Sequence, residues 1–387
     1  MDNDLANDVL DVLGRCLAGA KRPVALHEPR FEGNEWRYVK ECLDSGWVSS
    51  VGAFVDRYES DLAALTGVRR AVAVVNGTAA LHMCLLLAGV EREDEVLMPT
   101  LTFVATANAV VYCGAVPHLV DSDASTLGVD PEKLRAYMES LVERRSDLAF
   151  NKLTGRRIRA LVVMHTFGHP ADLESLSRVC GDFGLVLIED AAESLGSFYK
   201  GRPTGNWGLL SAVSFNGNKI VTAGGGGAIL TNNVELGDLA KHLTTTARRP
   251  HRWEFVHDAV GYNYRLPNIN AALGCAQLEQ LPESVTRKRA LAVRYRDAFA
   301  SISGASFFLE PEDCCSNYWL NALLIDPELA NQRDRVLAAS NEAGFMTRPV
   351  WSLMHRLPMY AACPRMNLDV AESLASRVVN LPSSAFL

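Results

Sequence analysis

Arg159-Ala-Leu-Val-Val-Met164, then Leu173 to Phe183, then Leu185-Val-Leu-Ile188 is the passage that decides the fold. A short apolar run, a segment with helical spacing and a second apolar run predict strand, helix and strand. The two runs are apolar at nearly every position, which marks strands covered on both faces and hence a parallel sheet. The pattern repeats upstream. Ala71–Val75, Glu95–Met98 and Val116–Val120 read as strands, and Thr78–Ala88, Thr106–Tyr112 and Pro131–Glu143 as helices, the last with proline at its first position. This alternation predicts an α/β fold, a large and mostly parallel sheet sandwiched by helices, with ligand groups at the carboxyl ends of the strands.

Outside that region the texture changes. Residues 4–20 read as an amphipathic helix; Gly33–Leu43 and Ala53–Leu65 are further helices around a turn-rich loop, Trp47 to Gly52. Beyond about residue 270, Ile269–Leu281 and Arg287–Ala300 read as two helices, and short strands such as Tyr318–Ile325 alternate with helices. The expected organisation is an N-terminal helical extension (1–25), a large domain (26–270) and a smaller α+β domain (271–387).

A chain of 387 residues, 48% hydrophobic and 21% charged, buries a large core. Its net charge of −7 argues against nucleic acid or an anionic membrane as partner. Nine scattered cysteines show no metal-ligand spacing and no disulfide framework, so no metal is expected and reduced thiols in the cytoplasm fit best. The acidic start, Met1-Asp-Asn-Asp, lacks the form of a signal peptide, and no apolar run approaches the ~18–20 residues of a membrane span.

Several residues carry chemistry. Ser214-Phe-Asn-Gly-Asn-Lys219 offers a hydroxyl and then an amine, followed by the glycines 224–227, which would let a planar group approach the backbone. Asn76-Gly77-Thr78 sits where strand gives way to helix; unpaired N–H groups there suit a phosphate, although a plain helix cap reads equally well. Asp190 closes a strand, where it can pair with a ring nitrogen or cap the next helix. Phe103 reads as a core aromatic or as a ring-stacking surface. His165 and His169 read as structural, with a place near a cofactor as the lesser alternative.

In this order and in an α/β pattern, the chain resembles the fold-type I pyridoxal-phosphate enzymes, and within them the DegT/DnrJ/EryC1/StrS sugar aminotransferases. The resemblance runs from about Leu26 to the C-terminus. It rests on Ser45-Gly-Trp-Val-Ser-Ser50, Asn76-Gly-Thr78, Pro99-Thr-Leu-Thr-Phe-Val-Ala-Thr106, Glu189-Asp-Ala-Ala192, Ser214 to Lys219 and Gly261-Tyr-Asn-Tyr-Arg265. His165-Thr-Phe-Gly-His-Pro170 and Arg348-Pro-Val-Trp351 resemble the branch that aminates UDP-4-keto-6-deoxy-N-acetylhexosamines.

The resemblance implies pyridoxal 5′-phosphate as cofactor, with pyridoxamine 5′-phosphate formed in the half-reaction. Lys219 would bind its aldehyde and carry protons, Asp190 would pair with the pyridine nitrogen, and Phe103 would stack on the ring. Gly77, Thr78 and Ser214 would hold the phosphate, with Ala79 beside them. Glu193 would face the phenolic oxygen, where many relatives carry Gln or His; a carboxylate there is repelled unless a proton is shared. Asn263 would reach the phosphate bound by a partner subunit, giving a homodimer with shared sites. Trp47, His165, Arg248, Arg348 and His355 are candidates for the substrate, and Arg249, Arg252 and Arg356 are further cations for a nucleotide diphosphate.

The implied reaction moves an amino group from L-glutamate to C4 of a UDP-linked keto-sugar in amino-sugar synthesis. The alternatives are a GDP-perosamine-type or 3-keto-sugar aminotransferase, a sugar dehydratase of the same fold, and a non-catalytic regulator. Lys219 counts against the dehydratase, in which another base often replaces the lysine. The lack of length for a DNA-binding module counts against the regulator.

Overall fold

The computed structural model describes residues 5–387; residues 1–4, and with them the start of the expected first helix, lie outside the described residues. The helix runs Leu5–Cys16.

The main sheet has the spatial order Arg70–Val74, Gly227–Thr231, Leu210–Ser214, Val186–Asp190, Arg157–Met164, Glu95–Pro99 and Val116–Val120. These seven run parallel except Gly227–Thr231, which is antiparallel to both neighbours, and an antiparallel hairpin, Val142–Arg145 with Leu148–Asn151, joins the sheet beside Arg157–Met164. Alternate side chains serve opposite faces. Val72 and Val74 pack with the helix Gly77–Leu87, while Ala71 and Ala73 pack toward Tyr58 and Leu62 of the helix Ala53–Thr66. Leu161, Val163 and Leu187 meet the helices Pro131–Leu141 and Leu173–Phe183. Burial on both faces is what the unbroken apolar runs predict.

A second sheet of four antiparallel strands has the order Ala305–Phe307, Asn321–Ile325, Val378–Leu381 and Arg348–Pro349. It shares a core with Leu5, Val9, Val12 and Leu13 of the first helix and with Leu291, Tyr295 and Phe299.

Three expectations change. The helix from Pro131 ends at Leu141, and the chain turns into a hairpin, Val142–Arg145 with Leu148–Asn151. The strand expected from Tyr318 begins at Asn321, because Tyr318 adopts a left-handed backbone (φ 46°) that no strand accommodates. The two helices expected after residue 268 are one, Asn268–Phe299, with Pro282 inside. Proline removes one helical hydrogen bond, yet both halves are held: Ala271, Cys275 and Leu281 in one core, Leu291, Tyr295 and Phe299 in the other. Packing overrides propensity here. Among the described residues no helix is long and apolar enough to cross a membrane.

Candidate active site

The carboxyl ends of Arg70–Val74, Arg157–Met164, Val186–Asp190 and Leu210–Ser214 open onto one cleft of about 260 Å³. After Val74 the chain passes through Asn76 into the helix Gly77–Leu87. Asn76 caps that helix, its Oδ1 accepting the Ala79 N–H at 2.8 Å. Ala79, expected beside a phosphate, therefore has its N–H occupied. The helix start at Gly77 and Thr78 lines the cleft together with Ser214. Among the described residues the Thr78 hydroxyl makes no hydrogen bond, and the Ser214 hydroxyl accepts only the Asn216 N–H, at 3.4 Å.

Glycine is required at two points. A Cβ on Gly77 would lie 2.9 Å from the Ser214 Cβ, and one on Gly227 would lie 2.5 Å from the Asn76 carbonyl carbon. The glycine at 227 thus lets the antiparallel strand pass behind the helix start, rather than making room for a planar ring.

Asp190 is buried at the end of its strand and lines the cleft. It accepts the Thr106 hydroxyl at 2.7 Å and the Ala192 N–H at 3.3 Å. Burial raises its carboxyl above the usual range, with Thr106 pulling the other way. The neighbouring Glu189 accepts N–H groups of Gly205, Trp207 and Gly208, each at 2.7 Å, the Ser211 hydroxyl and a ring nitrogen of His165. Burial would raise this carboxyl, but the His165 bond and the backbone donors outweigh it, and it is held low.

Lys219 reaches the same cleft. Its Nζ lies 3.1 Å from Glu193 Oε1 and 3.9 Å from the centre of the Trp319 ring. The other Glu193 oxygen accepts the Phe167 N–H at 2.9 Å. Phe167 has a left-handed backbone (φ 57°), rare for a bulky residue, and this bond helps to fix it.

Burial pushes the Glu193 carboxyl up to about 7, with the Lys219 ammonium pulling the other way. Between the ordinary value of 4.5 and about 7, the folded chain keeps a proton that the unfolded chain has released. Stability contributed by this group is therefore lost as pH rises through that window. Glu193→Gln should abolish the slope. The cofactor-free variant should gain on wild type across it, by about 1–3 kcal/mol at pH 8. Melting temperatures of both proteins against pH provide the check, and parallel curves would refute a perturbed Glu193.

The structure brings together Gly77, Thr78, Phe103, Asp190, Glu193, Ser214 and Lys219. Phe103 is 50% exposed with its ring edge-on to Trp351 (centroids 6.3 Å), so it is a cleft residue and not a core aromatic. Other candidates lie elsewhere. His165 is fully buried; its Nδ1 accepts the Ala171 N–H at 3.1 Å, so Nε2 carries the hydrogen toward Glu189. Trp47 is exposed on its loop and offers its carbonyl to Asn268. Arg348 is bound to Asn341 and the Thr347 carbonyl, and His355 has both ring nitrogens engaged, by Thr100 and Glu372. Arg248 lines a separate basic cavity of about 660 Å³ with Lys241, Arg252 and Arg265. Asn263 is exposed and outside its own chain's cleft, its side chain accepting from Arg265. Sequence reading missed Met164, Trp319 and, as a cleft residue, Trp351. The helix cap read as one alternative at Asn76-Gly77-Thr78 is there, with Asn76 as the cap; no local pattern marks the residues missed.

An amine, a buried strand-end carboxylate and an anion-suited helix start thus meet in one cleft. The chain belongs to the DegT/DnrJ/EryC1/StrS aminotransferase family, whose model matches residues 29–387. It is a pyridoxal-phosphate-dependent sugar aminotransferase of the α/β fold expected for that family. It is 37% identical to the GDP-perosamine synthase of Escherichia coli O157:H7, over 93% of each chain. To the GDP-perosamine synthase of Caulobacter vibrioides it is 35% identical over 94% of each. The crystal structure of DesI in the presence of its TDP-sugar product superposes with a TM-score of 0.83, at 29% identity, covering 97% of this chain and 93% of that one.

Proposed function

We propose that this protein transfers an amino group from L-glutamate to the keto carbon of a GDP-linked sugar, in a reaction of the GDP-perosamine type. The observation that carries the chemistry is the Lys219 amine lying with Asp190 and the Gly77 helix start in one cleft. The residues fit pyridoxal phosphate: Gly77, Thr78 and Ser214 for the phosphate, Asp190 for the ring nitrogen, Phe103 for the ring face, Lys219 for the aldehyde. When bound, the cofactor supplies an electron sink. Lys219 then works as general base and acid, taking a proton from the donor's α-carbon and delivering it to the cofactor. Asp190 keeps the ring nitrogen protonated, and Glu193 shares a proton with the phenolic oxygen opposite.

The GDP reading is supported by the perosamine synthase relatives and displaces the expected UDP-linked N-acetylhexosamine. The wording that suggested the latter included His165 and His169. Both are buried structural residues, and His165 is tied to Glu189, so that stretch says little about the sugar. The nine cysteines are all free, in keeping with a cytoplasmic enzyme. Purified protein incubated with glutamate and GDP-, UDP- or dTDP-linked 3-keto and 4-keto sugars, read by mass spectrometry, tests the assignment. Amination confined to UDP sugars would overturn it.

We further assign the active unit to a homodimer. Asn263 is exposed and does not line its own chain's cleft, and Trp253 and Phe255, on the preceding segment, are each 74% exposed, which supports a covered face. In such a dimer Asn263 serves the partner's phosphate, and the basic cavity of Arg248, Arg252 and Arg265 suits a diphosphate. Lys219→Ala and Asn263→Asp should each inactivate the homodimer. In a mixed dimer both lesions fall in one site, so random mixing restores about a quarter of wild-type sites by two-fold symmetry. Confirmed mixed dimers without activity would place Asn263 in its own subunit's site.

A further inference from the structure

Lys219 must be held somewhere whenever its amine is not bound to the cofactor, and the structure shows what holds it. Its Nζ stands 3.9 Å over the centre of the Trp319 indole and 3.1 Å from Glu193. The indole face is the negative pole of the ring and attracts an ammonium, most strongly where water is excluded; Trp319 is 4% exposed.

The ring is locked to the elements that carry its two neighbours. Its Nε1–H donates to the carbonyl of Asn218, the residue before Lys219, at 2.8 Å. Its backbone N–H donates to Asn317 Oδ1 at 2.8 Å, and the Asn317 amide donates to the carbonyls of Glu193 and Leu195. Its carbonyl accepts the buried Lys288 amine at 3.1 Å. Burial drives the Lys288 amine well below its usual range. The preceding residue, Tyr318, is the one in a left-handed backbone, a conformation that persists only where the surroundings enforce it.

We propose that Trp319 is a positioning residue that receives the Lys219 amine on its face each time the amine is freed, and so fixes where it takes up and gives back its proton. The inference rests on the role of Lys219 proposed above. The proton taken by the amine makes it an ammonium, which the indole face favours; its return to the cofactor restores the neutral amine. Glu193 lies 3.1 Å from the same amine.

Trp319→Phe keeps an aromatic face but loses the bond to Asn218, whereas Trp319→Met loses both. All three proteins should bind the cofactor. Single-turnover reaction with saturating glutamate should be within about threefold of wild type for Phe and slower by about tenfold or more for Met. The capture of pyridoxal phosphate by Lys219 in the cofactor-free protein, followed by absorbance, should fall in the same order. Equal slowing of Phe and Met, or none in either, would overturn the proposal.

If the Met variant does not fold, fluorinated tryptophan decides. It keeps the shape and the N–H but weakens the negative face, so it should slow wild type severalfold and leave Trp319→Phe unchanged. Equal slowing of both, or of neither, would again overturn the proposal. Borohydride reduction with peptide mapping is the separate check on the underlying role. An adduct absent from Lys219 in wild type would remove that role, whatever the tryptophan variants do.

Discussion

Lys219→Ala protein should bind pyridoxal phosphate yet lose sugar amination by about 10⁴-fold or more, since the proposed reaction routes its proton transfers through this amine. The phosphate contacts proposed for Gly77, Thr78 and Ser214 survive the change, as does Asp190, so binding should persist without a covalent bond. Wild type should be yellow, and borohydride should bleach it while tethering the cofactor to Lys219. The variant's cofactor should instead wash out on dialysis. The truncated side chain leaves Glu193 buried without its cation, so melting temperature should be measured alongside turnover. Retained amination in a folded variant would sink the assignment.

Asp190→Asn should slow glutamate half-reaction by about 10²–10³-fold while leaving the fold intact. The amide can still meet the Thr106 hydroxyl and the Ala192 N–H that the carboxylate now accepts. What it cannot do is favour a protonated ring nitrogen, so the loss falls on proton transfer and not on cofactor affinity alone. Rapid-mixing absorbance with glutamate follows the step directly. An unchanged rate would reduce Asp190 to a cap on the chain that follows it.

The residues that sequence reading located best are those fixed by strand ends. Asp190 closes an apolar run, and in an α/β pattern that places it at the ligand edge; the structure puts it there, beside Lys219. Trp319 and Trp351 were opaque as cleft residues because they come from the second sheet's region and meet Lys219 and Phe103 only through the tertiary fold. His165 is the structural residue its own reading favoured, and lies outside the cleft despite its place among the substrate candidates. Its strand-end position matches that of Asp190, but its ring packs into the core against Glu189, and burial of one side chain is not written in local spacing. Pro282 likewise reads as a break until the two cores that grip its helix are known.

That helix, Asn268–Phe299, has a mechanical consequence. Thirty-two residues span about 48 Å, and the chain crosses from one core to the other inside it. It behaves as a strut: swinging one sheet about the other along this stretch would require bending a continuous rod or unseating one of its gripped ends. The crossing therefore offers no free pivot, and the work of admitting and enclosing a bulky sugar nucleotide passes to the loops and aromatic side chains at the mouth of the cleft.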